Sequence, residues 1–213
     1  MVTAPPVIVR PLTADRLADL DALFGSNKTT AGCRCMWFLV PAKQCDEGWG
    51  EVNRAAFADL TRSEPAPTGL LAYRDGESVG WVAAGPRERY SRALRSPILK
   101  GRDADEDDSV WLVPCFFVRR DARRSGVTRE LLDAAAALAR SHKASAIEGF
   151  PLAGDRRRST MEAFLGVEPL FASCGFTVVS RPSASRVVMR RELLGDPSRY
   201  RTSGPGRGER LGR

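Results

Sequence analysis

Nine apolar residues, Val110 to Val118, run into the basic loop Arg119-Arg120-Asp121-Ala122-Arg123-Arg124-Ser125, and at Gly126 a helical pattern begins. This strand, turn and helix start constrain the fold more than any other part of the chain. Leu131, Leu132, Ala135, Leu138 and Ala139 recur at the spacing of one buried helix face. The first turn of such a helix has amides with no partner in the helix and carries the positive end of its dipole. A glycine there lets the backbone come close to a ligand, so the junction is suited to an anion of phosphate size. Arg119, Arg120, Arg123, Arg124 and Arg129 add positive charge to it. On spacing alone, an ordinary strand-to-helix connection with solvated arginines fits equally well.

Arg123-Arg124-Ser125-Gly126-Val127-Thr128 resembles the pyrophosphate loop of the GNAT superfamily of acyl-CoA N-acyltransferases, Gln/Arg-x-x-Gly-x-Gly/Ala, with Thr128 departing at the last position. Phe116-Phe117-Val118 resembles the central strand of that family. Leu170-Phe171-Ala172-Ser173-Cys174-Gly175-Phe176 resembles its Leu-Tyr-x-x-x-Gly-Phe element, with Phe171 in place of the tyrosine. The order of elements agrees from Val7 to Glu192, and Cys33-Arg34-Cys35-Met36-Trp37 is similar to a stretch found in a subgroup of the family.

The resemblance implies an α/β fold of GNAT type, a mixed, mostly antiparallel twisted sheet flanked by helices. It implies an N-acetyltransferase that moves an acetyl or other short acyl group from acyl-CoA to a primary amine, by direct attack in a ternary complex. Acetyl-CoA is then the co-substrate, and no metal is expected. Backbone of Phe116, Phe117 and Val118 would hold the pantetheine arm, with the amides of Arg123, Arg124, Ser125, Gly126, Val127 and Thr128 on the pyrophosphate and a strand amide near Phe117 on the oxyanion. The departures at Thr128 and Phe171 leave open a catalytically degenerate domain that binds CoA or a partner.

With 213 residues and 43% hydrophobic content, the chain suits one domain, expected over residues 1–194, followed by a disordered basic tail of Gly, Pro, Ser and Arg over 195–213. No apolar run approaches the ~18 residues of a membrane span, and Met1 to Pro6 does not resemble a signal peptide, so a cytoplasmic protein is expected. An odd count of 5 cysteines reads as reduced thiols. The net charge of +7 comes without a nucleic-acid recognition motif, and part of it belongs to the phosphate loop, so nucleic acid is not an expected partner. A homodimer is left open.

Along the chain, Val7 to Arg10 reads as a strand, and Thr13 as the N-cap of a helix with Asp15 in its first turn, Leu17, Leu20 and Phe24 on one face and Gly25 closing it. The resemblance makes Gly25 to Phe57 one wall of an acceptor pocket, with Met36, Trp37 and Phe38 as its soft apolar surface. Cys33 and Cys35 lack zinc-finger spacing, and a short buried strand with cysteines as small hydrophobes is the plainer reading. Val52, Ala56, Phe57 and Leu60 mark a second helix, and Asp75-Gly76 joins two strands as a hairpin. The acidic block Asp103 to Asp108 is either a solvated loop or a device that attracts a cationic amine. Pro114 signals a bulge or edge in the central strand, and Cys115 reads as packing. Glu148, in an apolar strand, is a candidate general base if it faces the active centre, and otherwise pairs with an arginine or meets solvent. Ser173 is the hydroxyl nearest Phe171 in sequence and a candidate acid for the departing thiolate.

Overall fold

The computed structural model describes residues 5–154 and 164–193. The Arg156-Arg157-Arg158 run, the segment 161–163 leading to Phe164, and the tail over 195–213 lie outside the described residues. Seven strands form one sheet: β1 (Ile8–Pro11), β2 (Gly69–Arg74), β3 (Glu77–Pro86), β4 (Val110–Val118), β5 (Ala146–Gly149), β6 (Thr177–Ser183) and β7 (Arg186–Glu192). Their order is β1-β2-β3-β4-β5-β7-β6, and β4 with β5 is the parallel pair in an otherwise antiparallel sheet.

Helices cover both faces. α1 (Leu17–Gly25), α2 (Lys28–Cys33), α3 (Ala42–Glu47) and α4 (Glu51–Ser63) lie on one side with the short α5 (Ser91–Leu94), while α6 (Val127–Ser141) and α7 (Glu168–Ser173) lie on the other. The expected face of α6 is the buried one: Leu131, Leu132, Ala135 and Ala139 are at most 1% exposed, and Leu138 packs at the edge. Each such leucine contributes roughly 1.5–3 kcal/mol by leaving water. The Asp75-Gly76 hairpin forms, with φ of 51° and 82° at its two corner residues, as a two-residue turn with left-handed corners requires.

Two local expectations are corrected. Cys33 to Leu39 is not a strand: α2 ends at Cys33, Arg34 and Cys35 take left-handed φ of 48° and 62°, and Met36–Phe38 is a single 3₁₀ turn. The Asn27 side chain caps α2 by accepting from the amides of Thr29 and Thr30, and the Arg34 guanidinium is held by Asp21, so the chain turns sharply where a strand would run straight. In α4 the buried side chains are Asn53 and Phe57, whereas Val52 is 68% exposed. Asn53 is buried because its amide nitrogen donates to the carbonyls of Gly32 and Cys45, tying α4 to the wall in front of it.

The bulge in β4 decides where the site lies. Ala83 faces Cys115 but Gly85 faces Leu112, so β4 gains one residue over β3 around Pro114, which has no amide to give to the ladder. A one-residue slip exchanges the faces of a strand. Trp111 and Val113 lie on the α6 side, and after the bulge Phe116 takes that side, while Cys115 and Phe117 turn to the side of α1 and α2.

Candidate active site

β4 and β5 pair from Val110 with Ala146 to Val113 with Gly149, and then they part. Beyond that point no strand among the described residues lies beside the β5-facing edge of β4. The ladder fixes which groups line this gap: the Arg119 amide donates to the Val79 carbonyl at 2.9 Å and Phe117 lies opposite Trp81, so the amides of Phe116 and Val118 point away from β3. The amide of Phe117 belongs to the ladder, which moves the available strand donor one residue from where the sequence reading put it. The Val118 carbonyl is taken by the Arg123 side chain, whose Nε donates at 3.1 Å.

Past β4, one 3₁₀ turn (Arg120–Ala122) leads to Arg124 and Gly126, both left-handed at φ 62° and 85°. Gly126 sits immediately before the first residue of α6, and a Cβ built on it would meet nothing within 4 Å. Among the described residues, the amides of Arg124, Ser125, Gly126, Val127 and Thr128 have no protein acceptor. Five successive donors at a helix N-terminus fit a pyrophosphate.

The surrounding arginines divide in role. Arg119 is occupied by Glu77 and Asp121, Arg129 donates to the Ser173 carbonyl at 2.9 Å, and Arg120 and Arg124 are exposed. Arg74, which the sequence reading did not single out, steadies the turn by donating to the Ser125 hydroxyl at 2.9 Å, and that hydroxyl donates to the Ala122 carbonyl at 2.7 Å.

On the opposite face of β4 a cavity of about 490 Å³ opens beside the gap. Cys115 and Phe117, the two residues that the bulge turned, form its floor, Phe150 and Phe164 one side, and α2 with the turn after it the other. Trp37 and Phe38 line it, whereas Met36 is buried in the core behind and is not among the lining residues. Arg92 from α5 lies over the Trp37 ring, its guanidinium carbon 3.6 Å from the ring centroid. Sequence reasoning gave no signal for Arg92, Phe150 or Phe164. Burial pushes the Cys33 thiol up to about 12. Contact with the Cys115 thiol, then burial, holds the Cys35 thiol well above its ordinary value, and Cys35 Sγ accepts from Trp81 Nε1 at 3.1 Å. These thiols pack as neutral groups.

The two side chains proposed for proton transfer are elsewhere. Glu148 is 4% exposed and outside the cavity lining; its Oε2 accepts from Arg87 Nη1 at 2.9 Å and its Oε1 from Arg190 Nη1 at 3.2 Å. Of its two sequence readings, the structure shows the arginine pair. Part of the acidic block completes the same cluster, since Asp107 accepts from Arg87 Nε at 2.7 Å and Glu106 from Arg190 Nη1 at 2.6 Å. Glu106 and Asp107 are therefore not solvated charges, while Asp103, Asp105 and Asp108 are exposed. The Ser173 hydroxyl donates to the Leu170 carbonyl at 2.7 Å on the exposed end of α7, away from the cavity. Phe171 is fully buried, edge-on to Phe116 at 5.9 Å, and lies so close to Gly149 that a Cβ there would be 2.4 Å from its ring. A glycine at the last paired position of β5 thus makes room for the ring beneath the point where the strands part.

No curated protein sequence matches the chain. Solved structures share its fold: an N-acetyltransferase of Staphylococcus aureus Mu50 (TM-score 0.54, 11% identity, covering 89% of this chain and 99% of that one) and the PaiA N-acetyltransferase of Thermoplasma acidophilum in complex with coenzyme A (0.51, 10%, 88% and 99%) are two. Diaminobutyrate acetyltransferase EctA of Paenibacillus lautus, in complex with L-2,4-diaminobutyric acid and coenzyme A, is a third (0.50, 14%, 91% and 99%). The model of the acetyltransferase (GNAT) family matches residues 34–157, more than half of the chain, and the chain belongs to that family of acyltransferases.

Proposed function

We propose that the chain transfers an acetyl group from acetyl-CoA to a primary amine, with both substrates held in one cleft. The observation that carries this reading is the run of partnerless amides from Arg124 to Thr128 at the left-handed Gly126, one turn beyond a strand that has parted from its neighbour. The pyrophosphate of CoA would lie on those amides and the pantetheine arm along the open edge of β4, on the Phe116 and Val118 amides. This brings the thioester to the gap above Gly149, next to the cavity.

In the transfer, the amine nitrogen attacks the thioester carbonyl, the new C–N bond forms, and the C–S bond breaks as the sulfur leaves with the electron pair. The Phe116 amide is the strand donor for the oxyanion that develops in between. Among the described residues the cavity is lined by no carboxylate and no histidine. An ammonium entering so apolar a space has its pKa lowered by desolvation, so the amine binds neutral and its first proton stays in bulk water. The second leaves after attack, through water at the open mouth. Positioning and desolvation supply the rate here, where a side-chain base does so elsewhere. Glu148 is assigned to the framework and not to proton transfer.

Two substitutions test the assignment. Gly126→Trp places a ring where the pyrophosphate would lie, and Gly126→Ala keeps the space open at a cost of about 1–2 kcal/mol for left-handed backbone. Calorimetry with CoA should show affinity lost in the first variant and largely kept in the second, each checked for folding by circular dichroism. Unchanged affinity in a folded Gly126→Trp variant would falsify the site. CoA binding without thiol release from acetyl-CoA across an amine library would instead leave a binding module.

A further inference from the structure

The cavity beside the thioester gap is apolar except for a few groups, and one of them is a charged side chain with an unmet donor. Arg92 Nη1 is buried and has no hydrogen-bond partner. Its guanidinium carbon lies over the Trp37 ring, 3.6 Å from the centroid, and no carboxylate pairs with Arg92 among the described residues. Stacking satisfies the face of a guanidinium but not its N–H groups, which lie in its plane. The side chain as a whole is half-buried, so what is left without an acceptor is this one N–H, and a ligand that brings an acceptor to the guanidinium would offset that cost.

Resting on the acetyltransferase reading, we propose that the acceptor is a primary amine with a carboxylate on an aromatic or branched-alkyl body, and that Arg92 binds the carboxylate. Three observations converge on this class. The cavity of about 490 Å³ has room for an aromatic amino acid, and Phe38, Phe117 and Phe150 offer an apolar surface for its body. Arg92 puts a positive charge on its wall, and none of the described lining residues is an acid, so a polyamine or a basic side chain would bring its second ammonium against like charge at Arg92. Arg92 also comes from α5 and the floor at Phe117 from β4, two separate elements of the lining, so a carboxylate held by Arg92 leaves the other end of a short molecule free to bring its amine to the gap. Trp37 fixes the plane of the guanidinium in advance, so little order is lost on binding.

The test uses the full chain with acetyl-CoA and a matched pair of acceptors, phenylalanine and phenethylamine, which differ only by the carboxylate. Phenylalanine should be preferred in kcat/KM by about 10- to 100-fold, the scale of one buried charge-assisted contact. Most of that difference should lie in KM. In Arg92→Gln the preference should fall to near 1, and Arg92→Lys should restore part of it. CoA affinity by calorimetry in each variant separates the two levels of the argument: lost CoA binding in the unmodified chain sinks the acetyltransferase reading itself. Intact CoA binding with phenethylamine used as well as phenylalanine, with neither used, or with a preference that survives Arg92→Gln overturns the acceptor class alone.

Discussion

Replacing Glu148 by glutamine separates a framework carboxylate from a general base. The side chain bridges Arg87 and Arg190 at 2.9 and 3.2 Å, and all three residues are at most 7% exposed. Removing one member of a buried ion pair costs about 3–5 kcal/mol, chiefly because the charge left behind is uncompensated. Here the compensation is shared, since Arg87 retains Asp107 and Arg190 retains Glu106 and Glu192. Glutamine also keeps an oxygen for one of the two guanidinium groups. The lower end, about 3 kcal/mol, is therefore expected for Glu148→Gln, and the upper end for Glu148→Leu, which offers no acceptor. For a domain of this length, 1 kcal/mol moves the midpoint by about 2–4 °C, so the glutamine variant should melt about 6–12 °C below the parent chain. Thermal unfolding by circular dichroism measures this, and kcat against pH at a temperature where both are folded completes the test. A framework role leaves the shape of the pH profile unchanged. An unaltered melting point, with kcat reduced ~100-fold and an acidic limb missing from the profile, would refute the reasoning and return Glu148 to the role of base.

Cys33, raised to about 12 by burial, should be alkylated by iodoacetamide at pH 8 about 1,000-fold more slowly than an ordinary thiol, as mass spectrometry would show; rapid labelling would contradict the burial. Because its folded value lies above its unfolded one, the stability it lends is complete below about pH 9 and is lost as pH rises from there toward 12, roughly 1.4 kcal/mol per unit, so a Cys33→Ala variant should lose less stability than the parent between pH 8 and pH 10. In the acidic block, Asp107→Asn should lower the melting point, while Asp105→Asn with Asp108→Asn should leave both melting point and acceptor KM unchanged; a raised KM in the second variant would revive electrostatic attraction of the acceptor. Ser173→Ala should leave kcat within about twofold, because the hydroxyl is bonded to the Leu170 carbonyl outside the cavity, and a large loss with CoA binding intact would show it to be the acid.

The parts legible in the sequence are those fixed by neighbouring residues. α6 was legible because its apolar period and its preceding glycine are local, and the same holds for the Asp75-Gly76 hairpin and the bulge at Pro114. What the bulge does to the side chains was not legible, because the slip is defined against β3, some thirty residues earlier. The Cys33 to Leu39 stretch carries no glycine at its left-handed positions. The forces that hold Arg34 and Cys35 there come from Asp21 and Trp81, which are distant in sequence. Glu148 looked like a base for a similar reason: Arg87 and Arg190 are 61 and 42 residues away, although an arginine ending the apolar run Val187-Val188-Met189 was a usable sign of a buried partner.

The same register explains why proton transfer need not rest on a side chain. With Cys115 and Phe117 turned to the cavity and Phe116 turned to Phe171, the gap between β4 and β5 is bounded on both faces by apolar groups, and its polar surface is backbone amide. Amides of this kind stabilise an oxyanion but neither give up nor take a proton in the working range. What is required of the departing sulfur is then modest, because a thiol titrates near ~8.5 and its anion leaves tolerably well at neutral pH. A tyrosine in place of Phe171 would have to carry its hydroxyl past Gly149, where the ring already lies closer than a Cβ would allow. The space that would hold a side-chain acid is filled by the packing that lets the strands part, and under the proposed function the rate would then come from an oriented thioester and a desolvated amine.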